Sequence, residues 1–334
     1  MKKKLTLEEY TEIYYSELNQ QMNNFIKYLD LIMDEAMYYV QIYDIHEEKF
    51  EEKEYNNKLD NYEIINICCS ILEQLNNEYS ILFKEYLKND FIKYKKNAKY
   101  AFMNSKKIVI NKTNTIEDIF TTIHEFFHKV HINMYDNNLK DPDWLFPSEL
   151  IAILFEFYAF FYMYKNDIYK EDLKIYFNKL IRAVGMISMD VIHEILILDI
   201  YDKYKSIDEE SIHKFIKYKD MDEQIVEILK IFEAENNSFR YHKEAPYIFG
   251  FMISLISSFN MVYDDDYKNK VLNSFKNINM GNIELFLKNI NMDGILHDKD
   301  GDILYNYVEQ INQFIDIINM ENRITGKELK LERH

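Results

Sequence analysis

Apolar side chains recur at intervals of three and four along most of this 334-residue chain. The pattern is clear in residues 12–40 and 62–87, and it returns after residue 115 and continues, with short polar breaks, toward the C-terminus. This spacing places apolar side chains on one face of an α-helix. We therefore predict a mainly α-helical chain, with several long helices between residues 5 and 95.

The segment 98–113 departs from the helical spacing. Its stretch KIVIN (107–111) is short, rich in β-branched residues and flanked by polar positions, which is typical of a strand. We predict a strand here, within a hairpin or small sheet that includes YAFM (100–103). If KIVIN lies at an edge, an extended peptide could add to it as a further strand. Thr115 and Asp118 follow with the spacing of a capping box, which predicts the start of the next helix.

The scarcity of glycine and proline, with 6 and 3 residues in the whole chain, narrows the fold class. β-Sandwiches, barrels and phosphate-binding α/β folds need these residues for turns, bulges and tight loops. Long helices with short polar connections need far fewer of them. The most apolar stretch, residues 150–164, is too short to span a bilayer and carries Glu156 in its middle. It predicts a buried helix, and we expect no membrane partner.

The net charge and the cysteine content indicate which binding partners and which cellular compartment suit this protein. The formal net charge is −17, and a field of that sign repels nucleic acid. The two cysteines, Cys68 and Cys69, are adjacent and offer no framework of disulfide pairs, which suits a reducing compartment. No apolar run follows the basic N-terminal residues, so we predict no signal peptide and expect a cytoplasmic protein.

The chain contains one short motif that is typical of metal binding. His124, Glu125 and His128 form the pattern H-E-x-x-H within a predicted helix. Residues four apart on a helix share a face and are separated by roughly 6 Å along its axis, so both imidazoles can reach one tetrahedral ion. Glu125 points to the side of that face, where a metal-activated water would lie. The alternative is a pair of buried histidines with purely structural hydrogen bonds.

A catalytic zinc site keeps three protein ligands and one open position, so a third ligand is needed. The metzincin spacing would require glycine at 131 and histidine at 134, but the chain has His131 and Met134. The next candidate is Glu149, near the start of the following predicted helix, with Glu156 about two turns later on the same face. Two carboxylates on one face of an apolar helix are unfavourable unless they are paired or bind metal. We interpret Glu149 as the ligand and Glu156 as the partner of a ligand histidine, the alternative being two exposed glutamates.

Taken together, these motifs resemble the zinc oligopeptidases typified by oligoendopeptidase F and thimet oligopeptidase. The similarity extends over about residues 98–320 and follows the family order of a strand, a helix with H-E-x-x-H and a helix with E-x-x-[AS]-x-x-x-E. His131 falls at the family's additional histidine, which implies a place in the second shell of the site. The segment HKEAPY (242–247) is similar to the family's His–Tyr block. The resemblance implies that His242 and Tyr247 stabilise the oxyanion of the reaction.

The resemblance implies a zinc peptidase acting on oligopeptides, with Zn²⁺ held by His124, His128 and Glu149. Glu125 would serve as general base toward the metal-activated water. The implied fold is a multi-helix, zincin-like (gluzincin) catalytic lobe. We predict that it comprises residues 98–334, that residues 1–97 form a helical cap, and that the two parts together make one continuous compact domain.

Departures from the family pattern leave two further functions open. The region before the strand is much shorter than in the family, which favours a dedicated maturation protease for a leader or signalling peptide. Phe127 replaces a preferred glycine, and Ser254 replaces a second expected tyrosine. These two differences favour a catalytically inactive, peptide-binding relative. The sequence also leaves the formation of a homo-oligomer open.

Overall fold

The structure, a computed structural model, describes most of the chain. The described residues are 28–49, 53–96, 102–103, 107–134, 145–219, 241–276, 283–298 and 301–319, with the single positions 11, 98 and 278.

Helices account for most of the described chain, so the prediction of a mainly α-helical protein is confirmed. In chain order they are α1 (Leu29–His46), α2 (Asn61–Leu75), α3 (Asn77–Lys88), α4 (Glu117–Met134), α5 (Leu145–Lys165), α6 (Lys170–Tyr204), α7 (Glu209–Lys219), α8 (Tyr241–Tyr263), α9 (Asp265–Phe275), α10 (Ile283–Asn289) and α11 (Asp302–Asn319). Two short 3-10 helices, Glu47–Lys49 and Asp293–His297, follow α1 and α10.

A small sheet lies between α3 and α4. Its strands are β1 (Ile92–Lys95), β2 (Phe102–Met103) and β3 (Ile108–Asn111), arranged in the order β1-β3-β2. The predicted hairpin is confirmed, since β2 pairs antiparallel with β3. Strand β1, which pairs parallel with β3, lies in a region predicted to be helical, so that part of the prediction is wrong. Strand β3 is the central strand of the three, so KIVIN does not lie at an edge and the condition for adding a peptide strand to it is not met.

Helices α5 and α8 form the centre of the molecule and run parallel in close contact. The hydroxyls of Ser254 and Ser258 donate to the backbone carbonyls of Leu150 and Leu154, one turn apart. At Gly250, an added Cβ would lie only 3.1 Å from the Cα of Leu150. Small side chains on α8 therefore allow this approach, which a tyrosine in place of Ser254 would prevent.

The helix α8 is also apolar enough to resemble a membrane span. Its segment Glu244–Tyr263 is long and apolar enough to cross a membrane, but 83% of the most apolar 18 residues are buried inside the protein. The neighbouring α5 is buried along most of its length as well. The apolar side chains of both helices are thus part of the protein core.

One hydrophobic cluster extends through the described residues from Tyr28 to Ile318. It includes side chains from α1, α2 and α3 as well as from the later helices, so residues on both sides of position 97 share a core. Helix α1 packs mainly against α6, where an added Cβ at Gly185 would lie 2.7 Å from the Cβ of Tyr43. The division into a cap of residues 1–97 and a catalytic region of residues 98–334 stays a prediction.

Candidate metal centre

Helix α4, which carries the H-E-x-x-H pattern, begins where polar side chains satisfy the backbone of its first turn. The hydroxyl of Thr115 accepts from the amide of Glu117 at 3.3 Å. The carboxylate of Asp118 accepts from the amides of Thr113 and Asn114, both at 2.9 Å. The predicted helix start is confirmed, but the reciprocal capping box is wrong. Asn114 has a positive φ of 61°, and the chain turns there so that residues 113 and 114 present their amides to Asp118.

The apolar face of α4 holds the helix in the core and fixes the direction of its histidines. Ile119, Ile123, Phe126 and Phe127 are fully buried. Phe127 stacks on Phe155 of α5, with ring centroids 3.7 Å apart. A phenylalanine at the position where glycine was expected therefore fills the interface between α4 and α5.

The side chains of His124, His128 and Glu149 meet between α4 and α5, and we call them the His–His–Glu group. One ligand atom from each residue lies within 4.8 Å of the other two. The Nε2 atoms of the two histidines are 3.0 Å apart, and carboxylate oxygens of Glu149 lie 3.5 Å from His124 Nε2 and 3.4 Å from His128 Nε2. Zinc bonds of about 2.0–2.1 Å at tetrahedral angles separate ligand atoms by about 3.4 Å. The three side chains therefore have spacings that suit a tetrahedral metal ion.

The hydrogen bond at the other ring nitrogen of His124 favours the tautomer that metal binding needs, and the hydrogen bond at His128 is compatible with the same tautomer. His124 Nδ1 lies 2.7 Å from Glu156 Oε2, and His128 Nδ1 lies 2.7 Å from Ser148 Oγ. Because a carboxylate only accepts, the proton on His124 belongs on Nδ1, and its Nε2 then presents a lone pair. The same assignment at His128 brings two nitrogen lone pairs and a carboxylate together. Such an arrangement is unfavourable unless a proton or a metal cation lies among these atoms.

The electrostatics of the group also favour a positive charge. Burial alone would lower the pKa of His124, but hydrogen bonds and charge interactions with Glu149 and Glu156 outweigh burial and raise it well above its ordinary value. Burial opposes ionisation of Glu149, yet the adjacent His128 and His124 hold its pKa below the usual range. His124 and Glu149 keep 16% and 17% of their side chains exposed, so the group is reachable from solvent. The donor set therefore fits a divalent cation such as zinc.

Glu125 lies beside the His–His–Glu group without being part of it. Burial is the main cause that raises the pKa of Glu125. The charges of Glu149 and Glu156 raise it further, whereas His124 and His128 oppose the shift. A carboxylate with a raised pKa is a stronger base than an exposed one, which is the property that proton abstraction requires.

Glu156, predicted as the partner of a ligand histidine, lies 2.7 Å from His124 as described above. Its second oxygen, Oε1, accepts a hydrogen bond of 2.5 Å from the hydroxyl of Tyr176 on α6. Tyr176 and Ser148 were not singled out from the sequence. Ser148 carried a weak signal because it directly precedes Glu149, but nothing distinguishes Tyr176 among the 28 tyrosines of the chain.

The remaining predicted residues lie in different surroundings. Tyr247 on α8 is half-buried, and burial followed by the charges of Glu156 and Glu149 raises its pKa well above the ordinary value. The structure therefore brings Tyr247 into electrostatic range of the group. His242 lies in the first turns of α8, and its side chain is outside the described residues. His131 Nε2 donates to the backbone carbonyl of Ile278 at 3.0 Å, and burial lowers the pKa of His131 to about 4.

Comparison with known proteins gives one informative match. No protein-family model and no curated protein matches the chain. Among solved structures, the chain is similar to PZ peptidase A with inhibitor 2, with a TM-score of 0.54 and 14% sequence identity. The similarity covers 92% of this chain but only 58% of that one, so the chain spans little more than half the length of the peptidase. The similarity shows that this chain shares the mainly helical fold of that protein, and a mainly helical fold is what the sequence predicts.

Proposed function

We propose that this protein is a zinc-dependent endopeptidase of the oligopeptidase type, acting in the cytoplasm on short peptides. The observation that carries the proposal is the convergence of two imidazole nitrogens and a carboxylate at tetrahedral spacing, with Glu125 beside them. Support comes from the peptidase fold of the structural neighbour, and from the motifs that resemble oligoendopeptidase F and thimet oligopeptidase. Neither nucleic acid nor a membrane is part of the proposal.

In this function the His–His–Glu group would hold the zinc ion. A bound zinc ion would supply Lewis acidity, which polarises the carbonyl of the scissile bond and makes a nearby water molecule more acidic. Glu125 would accept a proton from that water and later deliver it to the leaving amine. Glu156 and Ser148 would keep His124 and His128 in the tautomer that exposes Nε2 toward the ion.

The proposal is tested by zinc content and peptide cleavage measured on the same preparation. We expect one zinc per chain in protein purified without added metal, and cleavage of a quenched fluorescent peptide library that stops after chelation and returns with zinc. Cleavage of many library members would indicate a general oligopeptidase, whereas cleavage of very few would indicate a dedicated maturation protease. Zinc binding without any cleavage would favour the inactive, peptide-binding relative.

Tyr247, which the resemblance implies as a donor to the oxyanion, lies within electrostatic range of Glu156 and Glu149. Its raised pKa keeps the hydroxyl protonated, and hence a donor, at neutral pH. Tyr247→Phe removes only this hydroxyl, and loss of an oxyanion donor typically lowers kcat by roughly 10²–10³. KM should change little because the oxyanion exists mainly in the transition state. Steady-state kinetics on one cleaved peptide measures both parameters.

A matched control for this prediction is Tyr267→Phe. Tyr267 is likewise partly buried, and its hydroxyl donates to the backbone carbonyl of Ile290 at 3.0 Å. Among the described residues, its electrostatic neighbours are Ser257, Tyr307 and Asp264, not the His–His–Glu group. We expect this variant to retain kcat. A Tyr247→Phe protein with unchanged kcat would show that Tyr247 only packs α8, and His242 would then be the next donor to test.

A further inference from the structure

Tyr176 connects α6 to the candidate metal centre through Glu156. The two oxygens of the Glu156 carboxylate have different partners: Oε2 lies 2.7 Å from His124 Nδ1, and Oε1 accepts from the Tyr176 hydroxyl. Burial and the charge of Glu156 raise the pKa of Tyr176 well above its ordinary value, so the hydroxyl keeps its proton and donates. Tyr176, Glu156 and His124 thus form a continuous chain of hydrogen bonds, which we call the Tyr–Glu–His relay.

The ring of Tyr176 is fixed independently of this hydrogen bond. It stacks on Phe120 of α4, with centroids 4.1 Å apart and ring planes inclined by 24°. Phe120 precedes His124 by one helical turn and is itself buried. Tyr176 is therefore held against the same helix that carries the histidines, and its hydroxyl has a defined position relative to His124.

A second donor changes what Glu156 can do for His124. The terminal torsion of a glutamate side chain is broad, so a carboxylate with one partner can rotate about its axis. Donors at both oxygens fix the carboxylate plane, and this fixes the orientation of the imidazole that Oε2 binds. A held carboxylate partner also makes a ligand histidine more basic, which strengthens metal binding.

We infer that Tyr176 is a positioning residue of the metal centre, which acts through Glu156 to hold His124 Nε2 toward His128 and Glu149. The inference rests on the proposed function because it requires that the His–His–Glu group binds metal. It adds α6 to the elements that determine metal affinity. His128 Nδ1 has its own partner on α5, the hydroxyl of Ser148.

The test compares zinc affinity in Tyr176→Phe with that of the unaltered protein. The substitution keeps the ring and its stacking on Phe120 but removes the hydroxyl. Loss of a partner outside the ligand set typically weakens metal binding by 10- to 100-fold. Tyr176 acts on His124 only through Glu156, so we expect zinc affinity to fall by about tenfold, the lower end of that range. Competition with a chromogenic chelator measures the affinity. The visible absorption spectrum of the cobalt-substituted protein should change as well, since it reports ligand orientation.

Tyr94→Phe provides a matched control. The hydroxyl of Tyr94 also bonds to α4, at 3.0 Å from Thr122 Oγ1, but it does not lead to Glu156. This variant should keep both zinc affinity and the cobalt spectrum. An equal loss of zinc in the two variants would mean that any disturbance of α4 weakens binding, and this would overturn the inference.

A double-mutant cycle with Glu156→Gln separates the relay from local packing. If Tyr176 acts through Glu156, then Tyr176→Phe should have little further effect on zinc affinity in the Glu156→Gln background. The same tenfold loss in both backgrounds would overturn the inference, as would full affinity in the single variant Tyr176→Phe. Both of these results leave the proposed function intact. Absence of zinc binding in the unaltered protein would instead overturn the proposed function, and the inference with it.

Discussion

Replacing Glu149 with glutamine is expected to remove zinc from the protein and to abolish peptide hydrolysis. The amide is neutral, so the ion loses its only carboxylate ligand among the His–His–Glu group. The loss should exceed the 10- to 100-fold that removal of a partner outside the ligand set produces. Metal content after dialysis against a buffer with a fixed concentration of free zinc measures the effect.

Glu73→Gln is a suitable control for this substitution. It makes the same change of charge at an exposed position of α2, so it should keep both zinc and activity. A Glu149→Gln protein that retained full zinc occupancy would show that the third ligand is a different residue. Within the described residues His124, His128 and Glu149 are the group that could hold a metal ion, so the search would move to the residues outside them.

The parts of the site that follow from helix geometry could be predicted from the sequence. His124 and His128 share a face because they are one turn apart, and Glu149 and Glu156 share a face because they are two turns apart. Apolar neighbours then direct both faces toward the interior. The structure places these four side chains together. The contact between the histidines and the glutamates also depends on the packing of α4 against α5, which the sequence pattern does not give.

The features that could not be predicted depend on contacts between distant segments. Strand β1 contains only four residues, and its hydrogen bonds come from β3, so no local pattern marks it clearly as a strand. Tyr176 lies 20 residues beyond Glu156 on another helix, and its contact exists only because α6 packs against α4 and α5. Side-chain contacts of this kind have no signature in the spacing of residues along the chain.

The two departures from the resembled family pattern have structural reasons that do not involve loss of the site. Phe127 fills the interface between α4 and α5, where it stacks on Phe155. Ser254 donates to the carbonyl of Leu150 at the close contact between α5 and α8. Both residues serve the packing of helices that carry site residues. They therefore give less support to an inactive relative than the sequence alone suggests.

Glu125→Gln is expected to abolish hydrolysis while zinc stays bound. Glutamine has nearly the same shape as glutamate but cannot accept a proton at neutral pH, so the variant lacks a general base. General acid–base catalysis contributes typically 10²–10⁴-fold to the rate, and kcat/KM should fall by about that factor. Zinc occupancy should be unchanged because Glu125 is not one of the three residues whose ligand atoms converge. Metal analysis and peptide cleavage on one preparation measure both quantities.

The contrast between the two glutamates is the sharpest test of the assigned roles. Glu149→Gln should lose zinc and activity together, whereas Glu125→Gln should lose activity alone. Burial, together with the charges of Glu149 and Glu156, raises the pKa of Glu125. A raised pKa suits a general base, and it is not evidence that Glu125 binds the metal ion. If Glu125→Gln retained activity within a few-fold, another group would have to act as the base and the proposed mechanism would be wrong. If it lost zinc as completely as Glu149→Gln does, Glu125 would belong among the ligands and the two roles would have to be reassigned.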